Sequence, residues 1–254
     1  ALWNLVASPT QSTLNAIAMV SANDGWIVGY MDVALHWNGA SWQTVPIPSP
    51  NILLNLKAIA LVSANDGWAI SSSAEFYHWN GSNWTLKTVP RLVELNAISL
   101  ISASNGYVVC GDGAILHWDG QLWTLVNGQD VRSLYSVKMV SRDDGWAVGN
   151  SGLVMHWNGS RWAAVPTPSN ASMYALDMVS ASDGWAVGDG RFVSGRIDGV
   201  LWHWNCATWT QTLRPVAQKL NGVDMISAGN GQAVGDGGVI LTWDGSSWRS
   251  IASP

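Results

Sequence analysis

One sequence pattern recurs six times along the chain, and it constrains the fold more than any other feature. Each copy reads Leu-x-Ala-Ile-x-Met-Val-Ser, then Asp-Gly-Trp-Ala-Val-Gly, then His-Trp-Asn-Gly-x-x-Trp, with small changes. Self-similarity at a period of about 40 residues is typical of stacked supersecondary units. The copies begin at Leu14, Leu56, Leu95, Leu134, Met173 and Leu220, so their spacings are 42, 39, 39, 39 and 47 residues.

Each copy contains four short stretches with strand character. The first, Leu14 to Ser21, has apolar residues on both faces, as expected for a strand that is buried on both sides. Asp24-Gly25 then predicts a hairpin turn, because glycine accepts a positive φ. A second strand such as Trp146 to Gly149 and a third strand ending in His-Trp follow, and the fourth begins at the next tryptophan, as in Trp162 to Pro166.

Six units of four antiparallel strands predict an all-β fold, a six-bladed β-propeller. No helical periodicity competes with this interpretation. The sequence predicts a single domain over residues 1–254, and the blades are expected at roughly 14–50, 56–90, 95–127, 134–168, 173–213 and 220–252.

The tryptophans favour a packing role. Of the 18 tryptophans, 17 fall at the start of the second strand, the end of the third or the start of the fourth. Trp202 is the exception. A buried indole removes roughly 150–250 Å² from water, so periodic placement predicts contact between blades. A sugar platform would occupy one face, whereas these positions lie at both ends of a blade. We expect a structural role for Trp26, Trp37, Trp42, Trp146, Trp157 and Trp162.

The five histidines share one repeat position, just before the third-strand tryptophan. They are His36, His78, His117, His156 and His203. Equivalent positions in different blades are far apart, so these rings cannot converge on a metal ion, which for zinc needs several donors at about 2.0–2.1 Å. We expect each ring to make a structural hydrogen bond within its own blade, and we expect no metal and no cofactor.

The two cysteines, Cys110 and Cys206, stand where other repeats have glycine, in different repeats and at different turns. A disulfide needs Cα atoms roughly 4.4–6.8 Å apart, so the sequence predicts two free thiols.

The N-terminus carries a surplus element. Trp3 to Pro9 reads like Trp248 to Pro254, and both look like fourth strands, which makes 25 strands for six blades. Three explanations stay open: the chain is part of a longer array, the spare strand lies loosely on an edge, or it pairs with a neighbouring molecule by strand addition. Trp3, Leu5 and Val6 would form the core of such an assembly strand.

The segments Asp144 to Trp162 and Gly231 to Trp248 carry a resemblance to known families. They are similar to repeats of the photosystem II assembly factor propellers and of bacterial-neuraminidase-repeat proteins, and less closely to propeller lectins. The resemblance covers nearly the whole chain and implies the propeller fold. The neuraminidase Asp-box reads Ser-x-Asp-x-Gly-x-x-Trp, whereas Asp244 and Gly245 are adjacent here.

Local function is expected where the repetition fails. Gly188 to Trp202 in the fifth repeat carries eight extra residues between the second and third strands. Variable loops on a rigid scaffold commonly carry binding sites, although a harmless hairpin extension is the alternative. The candidate binding residues are Asp189, Arg191, Phe192, Arg196, Asp198 and Trp202.

A second break in the repetition lies in the first strands, which are expected to line a central channel. Lys138, Asp177 and Asp224 share one register there. They predict either a small ion-binding spot or a solvated lining, although Ca²⁺ usually requires 6–8 oxygen ligands.

Composition excludes several function classes. A net charge of −5 with 12 basic residues leaves no cationic footprint for nucleic acid. No apolar run reaches 18 residues, so no membrane span is predicted. Few lysines and glutamates, with many Ser, Thr, Asn, Gly and Trp, favour an extracellular or cell-surface protein.

No asymmetric set of catalytic groups can be identified, so the chain is not expected to be an enzyme. We expect a non-catalytic scaffold that binds a protein partner or assembles with itself through its terminal strands. The alternative is a carbohydrate-binding, lectin-like propeller that binds glycans with aromatic, Asn and Asp side chains between blades.

Overall fold

The structure is a computed structural model that describes residues 6–48, 54–87, 93–127, 131–193, 196–212 and 218–252. Side chains are described for all of these except residues 191–193 and 196–197. The chain divides into two compact units, residues 1–130 and 131–254. Every strand belongs to a four-stranded antiparallel sheet whose strands pair in chain order.

The first unit contains blades 1 to 3, numbered in chain order. Their strands are β1 (Leu14–Ser21), β2 (Asp24–Gly29), β3 (Ala34–Trp37) and β4 (Trp42–Thr44) in blade 1; β5 (Leu56–Ser63), β6 (Asp66–Ser71), β7 (Phe76–Trp79) and β8 (Trp84–Lys87) in blade 2; and β9 (Leu95–Ser102), β10 (Asn105–Cys110), β11 (Ile115–Trp118) and β12 (Trp123–Asn127) in blade 3.

The second unit contains blades 4 to 6 and two 3₁₀ turns, Asn150–Gly152 and Asp236–Gly238. The strands are β13 (Leu134–Ser141), β14 (Asp144–Gly149), β15 (Val154–Trp157) and β16 (Trp162–Ala164) in blade 4; β17 (Ser172–Ser180), β18 (Asp183–Val193), β19 (Arg196–Trp204) and β20 (Trp209–Gln211) in blade 5; and β21 (Leu220–Ser227), β22 (Asn230–Gly235), β23 (Ile240–Trp243) and β24 (Trp248–Ile251) in blade 6.

These sheets confirm the predicted fold class, an all-β, six-bladed β-propeller with four antiparallel strands in each blade. The predicted surplus N-terminal strand falls only partly within the described residues. Trp3 and Leu5 lie outside the described residues, and residues 6–13 belong to no strand, with the Val6 side chain exposed. Strand addition by this segment therefore stays a prediction.

The first hairpin of each blade corrects one prediction. The turn is formed by Ala22 and Asn23, and Gly25 already pairs in β2 opposite Met19. Gly25 does not have a positive φ. Glycine is needed there because a Cβ atom would lie 2.8 Å from the backbone carbonyl oxygen of Ala18 and would also collide with the sulfur of Met19. The sequence pattern therefore predicted the position of the hairpin, but the glycine belongs to the second strand and not to the turn.

Aromatic rings join neighbouring blades within each unit, as predicted. The ring of Trp26 in blade 1 lies on two indoles of blade 2, with centroids 4.7 Å from Trp79 and 5.2 Å from Trp84. Edge-to-face contacts at such distances add stabilisation beyond area burial. The same arrangement places Trp68 on Trp118 and Trp123, Trp146 on Trp204 and Trp209, and Trp185 on Trp243 and Trp248.

The histidines make the expected bonds within their blades. The Nε2 atom of His36 lies 2.8 Å from Oδ1 of Asp24, the first residue of β2, and the imidazole packs on Trp26 with centroids 4.6 Å apart. The bond therefore ties the third strand to the start of the second. The equivalent pairs are His78 with Asp66, His117 with Asn105, His156 with Asp144 and His203 with Asp183.

Neither cysteine forms a disulfide, as predicted; Cys110 is buried and Cys206 is exposed. Cys206 has a φ of 73°, at a turn position where Gly159 and Gly245 have φ values of 86° and 89°. A left-handed conformation costs a residue with a Cβ atom about 1–2 kcal/mol, so this turn is strained in blade 5.

Candidate binding site

An open pocket of about 600 Å³ lies in the second unit, beside the long hairpin of blade 5. Its polar lining comes from Ser169, Asn170, Ser172, Asp189 and Gln211. Ala171, Gly190 and Val200 complete the wall. Polar groups converging in one concavity are the usual starting point for a binding-site hypothesis.

The hairpin positions the acidic side of the pocket. Strand β18 has 11 residues, whereas its blade 4 counterpart β14 has 6. β14 ends at a glycine, whereas β18 continues past the equivalent Gly188 and so includes Asp189. The backbone of Asp189 pairs with Ser172 on one side and Gly199 on the other. Because strands on both sides hold its backbone, Asp189 has a defined place in the scaffold.

Two stacked tyrosines lie next to this carboxylate. The hydroxyl of Tyr174 donates to Oδ2 of Asp189 at 3.0 Å, and its ring stacks on Tyr135 with centroids 5.2 Å apart. The Nζ atom of Lys219 lies 3.7 Å from the Tyr174 ring centroid, a cation–π contact. Burial, and then the bond to Asp189, raise the pKa of Tyr174 to about 12.

Hydrogen bonds order the connection between blades 4 and 5, which contributes Ser169 and Asn170 to the pocket lining. The hydroxyl of Ser172 donates to Oδ1 of Asn150 at 2.8 Å, and that of Thr167 donates to the carbonyl of Gly152 at 3.1 Å. The hydroxyl of Ser169 donates to Oε1 of Gln211 at 3.3 Å. Internal hydrogen bonds therefore hold part of the polar lining of the pocket in place.

The chemistry of these groups suits binding. A carboxylate has about four lone-pair sites, so Asp189 retains acceptor capacity beside its bond to Tyr174. The neighbouring Tyr174 ring is already in contact with Tyr135 and Lys219. Within the described ranges, no group of three or more His, Cys, Asp or Glu side chains is arranged to hold a metal ion.

The structure separates the candidate residues of the fifth repeat. Asp189 lines the pocket, and Asp198 is half-buried on β19. Trp202 is fully buried in the core between blades 4 and 5, so it packs against the interior and has no surface for a ligand. Arg191, Phe192 and Arg196 lie in the strands of the hairpin, but their side chains fall outside the described set.

Sequence reasoning missed Ser169, Asn170 and the two tyrosines. The signal for the tyrosines was available, since Tyr135 and Tyr174 hold the second position of the first strand, where the first three repeats have Asn or Lys. The connection from Val165 to Ala171 resembles other interblade segments in composition. Nothing in it marked a pocket.

The polar register of the first strands is a structural bridge in the second unit. The Nζ atom of Lys138 lies 2.8 Å from Oδ1 of Asp177, which is almost fully buried. Oδ2 of Asp177 accepts the backbone N–H of Met225 at 2.8 Å. Asp224, at the same register in blade 6, is exposed.

Tyr174 predicts a pH dependence of stability. Its pKa is raised from 10.0 to about 12, so the folded state keeps the phenol proton that the unfolded chain loses. This contribution is complete below pH 10 and disappears as the pH rises towards 12. Replacing Tyr174 with phenylalanine should flatten the stability curve in that window, measured by urea unfolding at several pH values. Well below pH 10 the parent and the Tyr174→Phe variant should have parallel stability curves, which provides the internal control.

Comparison with known proteins identifies the fold that this chain shares with them. No family model matches the sequence, and no curated protein matches it. Solved structures do match, and they are β-propeller proteins such as the WD40 repeats of RRP9, with a TM-score of 0.78 and 11% identity over 98% of this chain and 82% of that one. Identities this low establish a shared fold alone.

Two further matches are structures of YCF48. YCF48 from Cyanidioschyzon merolae has a TM-score of 0.76 and 18% identity, over 99% of this chain and 88% of that one. YCF48 bound to D1 peptide has a TM-score of 0.74 and 14% identity, over 95% of this chain and 81% of that one. The second of these shows the same fold holding a peptide.

No helix in the described part of the chain is long and apolar enough to cross a membrane.

Proposed function

We propose that this chain is a non-catalytic propeller scaffold that binds a protein partner, and that the pocket at Asp189 receives a basic side chain of that partner. The observation that carries the proposal is a carboxylate in an open pocket beside two stacked tyrosines. A lysine or arginine of the partner pairs with the carboxylate, since a charge-assisted hydrogen bond to a carboxylate favours a cation. The peptide complex of YCF48, a protein of the same fold, supports a peptide ligand.

The pocket hydroxyls favour binding over catalysis. A serine nucleophile needs a base within hydrogen-bond reach. The described hydroxyls of Ser169 and Ser172 instead donate to the amide oxygens of Gln211 and Asn150. These contacts order the wall of the pocket and activate no nucleophile.

A random peptide library displayed on phage and selected against the whole chain tests the proposal. Selected peptides should be enriched in lysine or arginine. Replacing Asp189 with asparagine should weaken their binding about tenfold to a hundredfold, because a hydrogen bond to a charged group contributes about 1.5–3 kcal/mol. Binding is measured by isothermal titration calorimetry.

The matched control is Asp198→Asn, the same change on the same hairpin at a residue outside the pocket lining. It should leave the affinity within about twofold. Peptides without basic residues that bind both variants equally would contradict the proposal. Saturable binding on a glycan array at several equivalent sites, with no selected peptides, would favour the carbohydrate-binding alternative instead.

A second, separate mode is self-assembly by strand addition through the N-terminal segment. Its support is the fourth-strand pattern of Trp3 to Pro9, together with the exposed Val6 side chain. Deleting residues 1–12 should reduce the mass measured by light scattering to that of one chain. An unchanged oligomeric state would remove this mode.

We also propose an extracellular or cell-surface location, on composition alone.

A further inference from the structure

The same tight turn joins the third and fourth strands in every blade. Its first residue is Asn or Asp, and Oδ1 of that residue accepts the backbone N–H groups two and three positions later. In blade 4, Oδ1 of Asn158 accepts from Ser160 and Arg161, each at 3.1 Å. The first residues of the other turns are Asn38, Asn80, Asp119, Asn205 and Asp244. The blades therefore compare one turn with different side chains in it.

This turn requires neither an amide nitrogen nor a hydroxyl group. Asp119 and Asp244 make the same two bonds with a carboxylate oxygen, so the amide nitrogen of asparagine is dispensable for the turn. In blade 1 the residue that supplies the first N–H is Ala40, so a hydroxyl at that position is dispensable too. Where the amide and the hydroxyl occur together, formation of the turn does not explain them.

The two groups occur together in the turns of blades 2 and 4. Residues 80–82 read Asn-Gly-Ser, and so do residues 158–160. Asn-x-Ser or Asn-x-Thr, with a middle residue other than proline, is the acceptor pattern for N-linked glycosylation in secreted proteins. The pattern also occurs at Asn83 and Asn170, but those copies run into β8 and β17. The copies in the turns lie wholly outside the strands.

The turn of blade 4 presents its acceptor group to solvent. Asn158, Gly159 and Ser160 are exposed. The hydroxyl of Ser160 donates to Oδ1 of Asn158 at 2.8 Å, so the hydroxyl of the pattern lies beside the amide. In the described part of the chain, Nδ2 of Asn158 has no hydrogen-bond partner, whereas Nδ2 of Asn80 donates to Oδ1 of Asn83 at 3.2 Å. Asn158 therefore offers the more accessible nitrogen.

We propose that Asn158 is an acceptor for an N-linked oligosaccharide, and that the equivalent Asn80 is a second one. The donor is a lipid-linked oligosaccharide diphosphate. Nδ2 of the asparagine forms a bond with the anomeric carbon of the donor and loses one proton. The bond from that carbon to the diphosphate oxygen breaks, and the lipid diphosphate leaves. The inference rests on the proposed extracellular or cell-surface location, because this pattern is modified in secreted proteins.

A glycan at Asn158 is compatible with the proposed peptide pocket. Asn158 does not belong to the pocket lining, which contains Asp189. An N-linked glycan is bulky and solubilising, and an exposed turn can carry it without disturbing the blade. The calorimetric test of the pocket uses chains without glycan, so failure of either proposal leaves the other unaffected.

The full chain, fused to a secretion signal and translated in vitro with endoplasmic-reticulum microsomes, tests the proposal. Mass spectrometry of the translocated chains should find a glycan on Asn158. Ser160→Ala gives this turn the residue that blade 1 has, and it should abolish that glycan while the turn is kept. Ala40→Ser is the matched gain-of-site variant, because it creates the same pattern at Asn38 in blade 1, and it should add a glycan there.

Translocated chains without sugar on Asn158 would overturn the proposal. A glycan on Asn158 that persists in Ser160→Ala would also overturn it, because the hydroxyl would then have no role. If the fusion does not enter the microsomes, the purified chain is incubated with oligosaccharyltransferase and a lipid-linked oligosaccharide. The same three chains are then compared, with the same expected results.

Discussion

Replacing Trp185 with alanine is expected to lower the free energy of unfolding by about 4 kcal/mol, because large-to-small changes of buried tryptophan cost about 3–5 kcal/mol. The ring is buried between blades 5 and 6. Its centroid lies 4.4 Å from that of His203, 4.8 Å from that of Trp243 and 5.2 Å from that of Trp248. The substitution therefore empties the centre of a four-ring cluster.

The loss is measured by urea unfolding followed by far-ultraviolet circular dichroism, since the substitution removes a fluorescent indole. Leu122→Ala is the control, because Leu122 is a large apolar residue exposed in a turn. It should change stability by less than about 0.5 kcal/mol. A similar small change for Trp185→Ala would mean that the indole clusters do not hold neighbouring blades together.

Replacing Asp177 with alanine should cost about 3 kcal/mol, since breaking a buried ion pair typically costs about 3–5 kcal/mol and Lys138 is partly solvated here. The carboxylate connects all three blades of the second unit. It pairs with Lys138 of β13 from its own position on β17 and accepts the backbone N–H of Met225 on β21. Without it, that N–H loses its partner in a buried setting.

Asp224 provides the matched control for this prediction. It occupies the same repeat position in blade 6 but is exposed. Asp224→Ala should therefore be nearly neutral in the same urea titration. Equal losses at the two positions would show that general charge, and not the bridge made by Asp177, determines the effect.

The repeat pattern predicted the fold well because packing constraints act identically in every blade. The bounds of β1 agree with the sequence prediction, and so does the bond expected for each histidine. The identity of the partner could not be predicted. The antiparallel pairing of β2 with β3 places Trp26 opposite His36, and this register brings the imidazole back to Asp24.

The binding site was less predictable because it depends on where loops come together. The length of the fifth repeat indicated the hairpin and Asp189, but the interior position of Trp202 follows from its place on β19, whose neighbours form the core. Ser169 and Asn170 reach the pocket through the path of a loop without repeat character. The repeat pattern contains no signal for such a path.

The register of Lys138 and Asp177 shows the same limit. The repeat alignment gave both residues the same register, and it was compatible with either an ion-binding site or a solvated lining. The distance of 2.8 Å between them supports a bridge between blades. Such a contact depends on the offset between adjacent sheets, which single-strand periodicity does not contain.

A crystal structure of the chain with its tightest selected peptide tests the central claim most directly. The account predicts a lysine or arginine nitrogen within about 2.7–3.2 Å of the Asp189 carboxylate. A peptide bound elsewhere, with the Asp189 pocket filled only by solvent, would contradict it.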